Sequence, residues 1–324
     1  MTRTRTLRAM LLGLLALSAA ADPGTAQTYP SKPIRMVVPF PPGGITDTLA
    51  RITGQALGEA LDQTVIMDNR AGANGAIGTE VAVRAAPDGY TLLLGAASTQ
   101  VLNPLIHKFP YDPIQELTPI GMVAETALML VVNPAVPAAS VTELIGWLKS
   151  HPSQANFGSY GEASASHLAG ELFKQSTGVA MTHVAYKGAA PAQTDLMSGE
   201  LSLMFSDMSV IPHVRGGRLR GLAVTGLRRS LVMPELPTVD ESGVPGFEVG
   251  GWFALFVRAG TPQPVIDRLR LALDQVVSAE TMRRRVIELG LDPSATPPDA
   301  LVGRMTMERA KWAKVIADAH IQVE

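Results

Sequence analysis

From residue 34 onward the chain alternates between two hydrophobic rhythms. Short apolar runs rich in Val, Ile, Leu and Met are separated by longer stretches in which apolar positions recur every three or four residues. The first pattern is that of a buried strand, the second that of an amphipathic helix. On this reading residues 34–38 form a strand and a helix runs from near Thr46 to about Leu61. Residues 64–67 form a second strand, 79–85 a second helix and 90–94 a third strand. That order and spacing predict βαβ units and a parallel sheet.

The rhythm resumes after residue 125. Strands are expected at 127–132, 156–158, around Val184, at 201–205 and at 219–225, with helices at 140–149, 164–176 and 191–198. Ser140 followed by Glu143 reads as a capping box, and Leu168, Leu172 and Phe173 share one helical face. Residues 233–250 are rich in Pro, Gly and acids and read as a loop. A last strand at 252–257 precedes helices at 264–277, 279–289 and 298–319.

These elements divide into two α/β lobes. One comprises residues 27–124 together with 249–324; the other, 125–248, is inserted into it. Crossovers near residues 122–130 and 248–255 would form a hinge. Ligands of open α/β sheets bind beyond the carboxyl ends of the strands, so the cleft between the lobes is the expected pocket.

Ahead of the first strand stand Arg3, Arg5 and Arg8, then an apolar run over 9–17, then small residues. The run is too short to span a bilayer. Residues 1–26 therefore read as a cleavable secretory signal peptide, cut after Ala26 or after Ala21, with an uncleaved anchor as the alternative. Without them the chain loses three Arg and one Asp, and its net charge moves from −2 to −4. Nothing in that balance suggests a nucleic-acid binder. The absence of Cys removes disulfides, thiolate metal sites and a Cys nucleophile. The expected location is the bacterial periplasm.

Five segments carry candidate chemistry. In Pro39-Phe-Pro-Pro-Gly-Gly-Ile-Thr-Asp47 a strand ends, glycines turn the chain and a helix begins. Glycine lets backbone N–H groups approach a ligand, and a helix start offers unpaired N–H groups and partial positive charge. Pro42, Gly43, Gly44 and Asp47 thus outline an anion site; a plain turn capped by Thr46 or Asp47 is the bland alternative. Gly72-Ala-Asn-Gly-Ala-Ile-Gly78 lacks the spacing of a dinucleotide fingerprint and reads as a tight turn near the cleft; no cofactor is expected. Ser98, Thr99 and Gln100 follow the third strand as a polar loop suited to ligand hydrogen bonds. Ser159, Ser164, Ser166 and His167 form a second cradle before a helix, His167 serving equally well in packing or capping. Asp207 follows the strand at 201–205 and could hold a ligand or cap the next turn. The six His show no metal-ligand spacing, so no metal is expected.

At these motifs the chain resembles the Bug family of periplasmic solute receptors, the substrate-binding components of tripartite tricarboxylate transporters. The landmarks run nearly end to end: Tyr29-Pro-x-Lys-Pro-Ile-Arg35, the Pro39–Asp47 loop, Asn69-Arg-x-Gly72, Gly75-x-Ile-Gly78, Pro87-Asp-Gly-Tyr90, His167-Leu-Ala-Gly-Glu171, Tyr186-Lys-Gly188, Pro212-His213 and Glu235-Leu-Pro-Thr-Val239. The resemblance implies a type II periplasmic-binding-protein fold whose lobes close on a ligand. It implies a carboxylate held near Pro42, Gly43, Gly44 and Asp47 through backbone amides and waters. Ser206-Asp-Met-Ser-Val-Ile211 and Glu162-Ala163 depart from the commoner family pattern, and the resemblance implies that both segments face the distal end of the ligand.

The expectation is a monomeric, non-catalytic receptor that delivers a small organic carboxylate to membrane transport subunits. The alternatives are a secreted serine hydrolase using Ser164 or Ser166 and a receptor feeding a signalling partner.

Overall fold

The computed structural model describes residues 29–321. The signal peptide expected at 1–26 lies outside the described residues. No helix among those described is long and apolar enough to cross a membrane.

The first strand, β1 (Ile34–Val38), buries apolar side chains on both faces, with Arg35 alone polar and paired to Asp68. Ile34, Met36 and Val38 pack with Leu49 and Leu57 of helix α1 (Ile45–Leu61), whereas Val37 joins the core on the other side. A strand covered on both faces has no polar alternation to keep. β2 (Val65–Asn69), α2 (Ala76–Val83) and β3 (Thr91–Ala96) follow, and β1 pairs parallel with both β2 and β3. Two short helices, α3 (Asn103–Ile106) and α4 (Pro113–Glu116), lead into the long strand β4 (Leu117–Ala127).

After Leu128 alone, β5 (Met129–Val132) opens the second sheet. It is followed by α5 (Val141–Ser150), β6 (Asn156–Ser159), α6 (Ala165–Thr177), β7 (Thr182–Ala185), α7 (Ala189–Ser198), β8 (Leu203–Ser206), α8 (Ile211–Arg215) and β9 (Arg220–Val224). The chain then returns through β10 (Gly250–Arg258), α9 (Gln263–Ser278), α10 (Glu280–Glu288), the two-residue β11 (Asp292–Pro293) and α11 (Pro298–Asp318). The capping box at α5 forms with a shift: the Ser140 hydroxyl accepts from the Glu143 N–H, while Glu143 Oε2 accepts from the N–H of Ala139 at 2.8 Å.

Two sheets result, ordered β11-β4-β10-β3-β1-β2 and β7-β6-β8-β5-β9. They are mixed rather than wholly parallel. β10 runs antiparallel between β3 and β4, and β5 runs antiparallel between β8 and β9. The βαβ reading describes the parallel triplets correctly; the strands that carry the chain between sheets enter in the opposite sense.

One apolar core runs through both lobes. It joins Val37 and Leu93 with Trp252, Phe157, Leu168 and Phe205, and α11 contributes Leu301, Met305 and Trp312. α11 packs on β4 and also against α6. Two polar devices hold the crossovers. Thr225 accepts the N–H of Leu128 at 2.8 Å and bonds the carbonyls of Leu128 and Val249 through its hydroxyl. Arg304 of α11 binds Glu125 on one crossover, Glu248 beside the other at 3.1 Å and Glu308 at 2.8 Å. Glu308 in turn accepts from the buried Trp252 Nε1 at 3.0 Å.

Candidate functional site

The loop between β1 and α1 is exposed over Pro41–Ile45 and runs into buried helix at Thr46. Gly43 has φ +86°, which favours glycine, and Gly44 is the N-cap with extended φ −79° and ψ 172°. A Cβ on Gly44 would meet only Pro41 O, at 3.9 Å. The first helical hydrogen bond is from Thr48 N–H to Gly44 O at 3.0 Å. The N–H groups of Ile45, Thr46 and Asp47 thus precede the helical ladder, as at any helix start.

Asp47 stands inside this loop and holds it. Its Oδ2 accepts from Gly43 N–H at 2.9 Å and from Arg51 Nε at 3.0 Å, and its Oδ1 accepts from Asn69 Nδ2 at 2.9 Å. Asn69 also donates to Phe40 O at 3.1 Å. The residue is only 3% exposed. The Arg51 guanidinium, helped by the Gly43 and Asn69 donors, lowers its pKa to about 2 against the opposing effect of burial. Two readings change as a result. Neither Thr46 nor Asp47 is the N-cap, and the Gly43 N–H already has its acceptor in Asp47. Gly43 N–H is therefore not among the donors this turn can offer a ligand.

The glycines of the second loop serve close packing. A Cβ on Gly75 would come within 2.5 Å of Thr99 Cγ2, and one on Gly78 within 2.7 Å of Pro39 Cα. They bring the ends of β1, β2 and β3 together. After β3, residues 98–102 wind as a π-helical turn rather than an open loop. Thr99 is buried, its hydroxyl donating to Ala96 O and accepting from Ala96 N–H, both at 3.0 Å. Gln100 is buried with Nε2 on Thr99 and with Oε1 lacking a partner. Ser98 is half-buried.

In the second lobe the predicted hydroxyls are turned inward. Ser159 Oγ is bonded to His183 Nε2 at 2.7 Å and to Gly161 O at 3.1 Å. Ser164 caps α6, accepting from His167 N–H and donating to Gly161 O at 2.7 Å. Ser166 is fully buried and donates to Phe205 O at 2.6 Å, tying α6 to β8. His167 Nδ1 accepts from Ala163 N–H at 3.1 Å, and its ring stacks on His183 at 3.7 Å. Burial, with His183 beside it, pushes His167 down to about 4. Glu162, His167 and His183 come close enough to suggest a metal site. The two rings, however, are parallel within 7°. A cation in the plane of one imidazole would stand well outside the plane of the other, so the pair does not suit ion binding.

Asp207 caps the short turn after β8: its Oδ1 accepts from Ser209 N–H at 3.0 Å and from the Ser209 hydroxyl. Its own N–H donates to the Tyr160 hydroxyl. Tyr160 was not foreseen as a site residue, yet it joins the β6–α6 and β8–α8 loops. Nothing in its local sequence marks a partner 47 residues away. The two lobes meet around a cleft of ≈ 930 Å³ that Ile45 shares with Leu128, Asp207, Met208 and Phe253.

A family model described as "Tripartite tricarboxylate transporter family receptor" matches residues 49–321. BugT of Bordetella pertussis is 36% identical over 307 residues, 94% of both chains. Among solved structures, Rpa4515 of R. palustris with adipate is 33% identical, with TM-score 0.72 over 91% of this chain and 99% of that one. MatC of Rhodopseudomonas palustris with bound malate is 29% identical, with TM-score 0.68 over 89% and 100%.

Proposed function

We propose, from the premise that this chain belongs to the tripartite tricarboxylate transporter receptor family, that it binds a small organic carboxylate between its lobes and hands it to membrane transport subunits. The family consists of solute receptors, not enzymes. The observation that carries the ligand class is the first turn of α1. The turn begins at the exposed Gly43–Gly44 loop, its first residue Ile45 lines the cleft, and Asp47 holds the loop through the Gly43 N–H. Oriented amides at a helix start favour an anion. The inward hydrogen bonds of Ser159, Ser164 and Ser166 suit a shape-giving role better than that of a nucleophile. The adipate and malate found in two structural neighbours agree with a carboxylate.

Ligand binding stabilises the closed arrangement only by its greater affinity for it. The receptor acts in the periplasm as a monomer. Isothermal titration of the purified protein with malate and adipate, beside a thermal-shift panel of other carboxylates, tests the reading. Stoichiometric binding without turnover is expected. A ligand at 100 times its Kd should add about 2.7 kcal/mol of stability. A folded, ligand-free sample that responds to no carboxylate would overturn it.

A further inference from the structure

We propose that the cleft continues, past the amides of α1, into an apolar pocket for the hydrocarbon body of the ligand. The substrate is then an amphipathic monocarboxylate with an aliphatic chain or ring. This rests on the carboxylate-receptor reading and narrows it.

The ≈ 930 Å³ space lies between walls of opposite lobes. Ile45, Ile287 and Leu289 face it from the first lobe; Met208, Ile211 and Leu231 face it from the second. Ile45 is the first residue of α1, so the apolar wall begins where the anion-facing amides sit. Ile45 and Leu231 remain 45% and 50% exposed. Large apolar side chains gathered at a cleft mark a surface that something covers. The ionised groups argue against a second carboxylate there. The walls hold two acids, Asp207 and Glu288, against one base, Arg215, and the Asp207 carboxylate is already turned to Ser209.

Titration calorimetry with butyrate, hexanoate, octanoate and 3-phenylpropionate, alongside malate and adipate, tests the assignment. Each methylene that enters the pocket should tighten binding about fourfold, so affinity should climb from butyrate to octanoate. Leu231→Asn and Ile287→Asn, uncharged changes at exposed and half-buried positions, should each cost octanoate more than tenfold. Butyrate should change less than threefold, and the melting curves should match the unaltered protein. A flat chain-length series with malate or adipate still bound would overturn the pocket and leave the carboxylate reading standing. A slope that persists in both variants would move the hydrocarbon elsewhere and also overturn it. Failure of every carboxylate to bind would overturn both.

Discussion

The loops after β1 and after β6 occupy corresponding places in their lobes, each joining the end of a strand to the start of a helix. Their polar groups point in opposite directions. In the first lobe a buried carboxylate, Asp47, holds the loop from inside, and Ile45, the first residue of α1, lines the cleft; on the proposed function the N–H groups of that turn meet the ligand. In the second, Ser159, Ser164 and Ser166 all bond inward and His167 is stacked on His183. Two segments with similar composition of small and polar residues thus do different work. One is the proposed donor loop; the other spends its side-chain hydroxyls on hydrogen bonds within its own lobe.

The sharpest way to break that contrast is Gly44→Val. Open space around the Cβ position lets the helix fold, with a cost of about 1 kcal/mol for a poor N-cap. Carboxylate affinity should fall on the order of a hundredfold, the loss of one or two charge-assisted hydrogen bonds. Unchanged affinity by calorimetry would show that these amides do not meet the ligand. Asp47→Ala should come next, with about 1–3 kcal/mol of stability lost from its charged hydrogen bonds and weaker binding as the loop relaxes. Chemical denaturation and titration read the two effects separately.

In the second loop, Ser166→Ala should cost about 1–2 kcal/mol of stability, leaving Phe205 O without its donor, while affinity stays within twofold. A large loss of affinity there would erase the distinction between the loops. Ser164→Ala should have a smaller effect, about 1 kcal/mol, the usual loss of a cap.

Acid titration separates the same two regions. His167 has a folded pKa near 4, below its usual 6.5, so the unfolded chain binds the proton first. Its contribution is complete above about pH 6.5 and fades as pH falls toward 4. Asp47, lowered from 3.8 to about 2, contributes fully above about pH 4 and is lost as pH falls through 2. His167→Gln should flatten the upper limb of stability against pH and Asp47→Asn the lower one. Denaturant midpoints measured across the range would show whether each variant removes only its own limb.

The helices and most strands were legible because their periodicity is local. The Pro-Gly-Gly turn was legible because glycine at positive φ and a helix start are also local signals. The role of Asp47 was not, because Asn69 reaches it from the far end of β2. Thr99 and Gln100 sit in a stretch whose composition suggests a polar loop suited to ligand hydrogen bonds; composition says nothing of a π-helical turn that buries them. The stacking of His167 on His183 depends on the parallel pairing of β6 with β7. β11 has only two residues, too few for any pattern.

Thr225 has one hydroxyl proton and two carbonyls within reach, Leu128 on the outgoing strand and Val249 on the returning one. It can serve only one at a time. Its backbone N–H also donates to Leu128 O, and its carbonyl accepts from the Val249 N–H, both at 2.9 Å. A single threonine of the inserted lobe thus stitches together both passages of the chain. Thr225→Val keeps the shape of the side chain but would strand the Leu128 N–H without its side-chain acceptor.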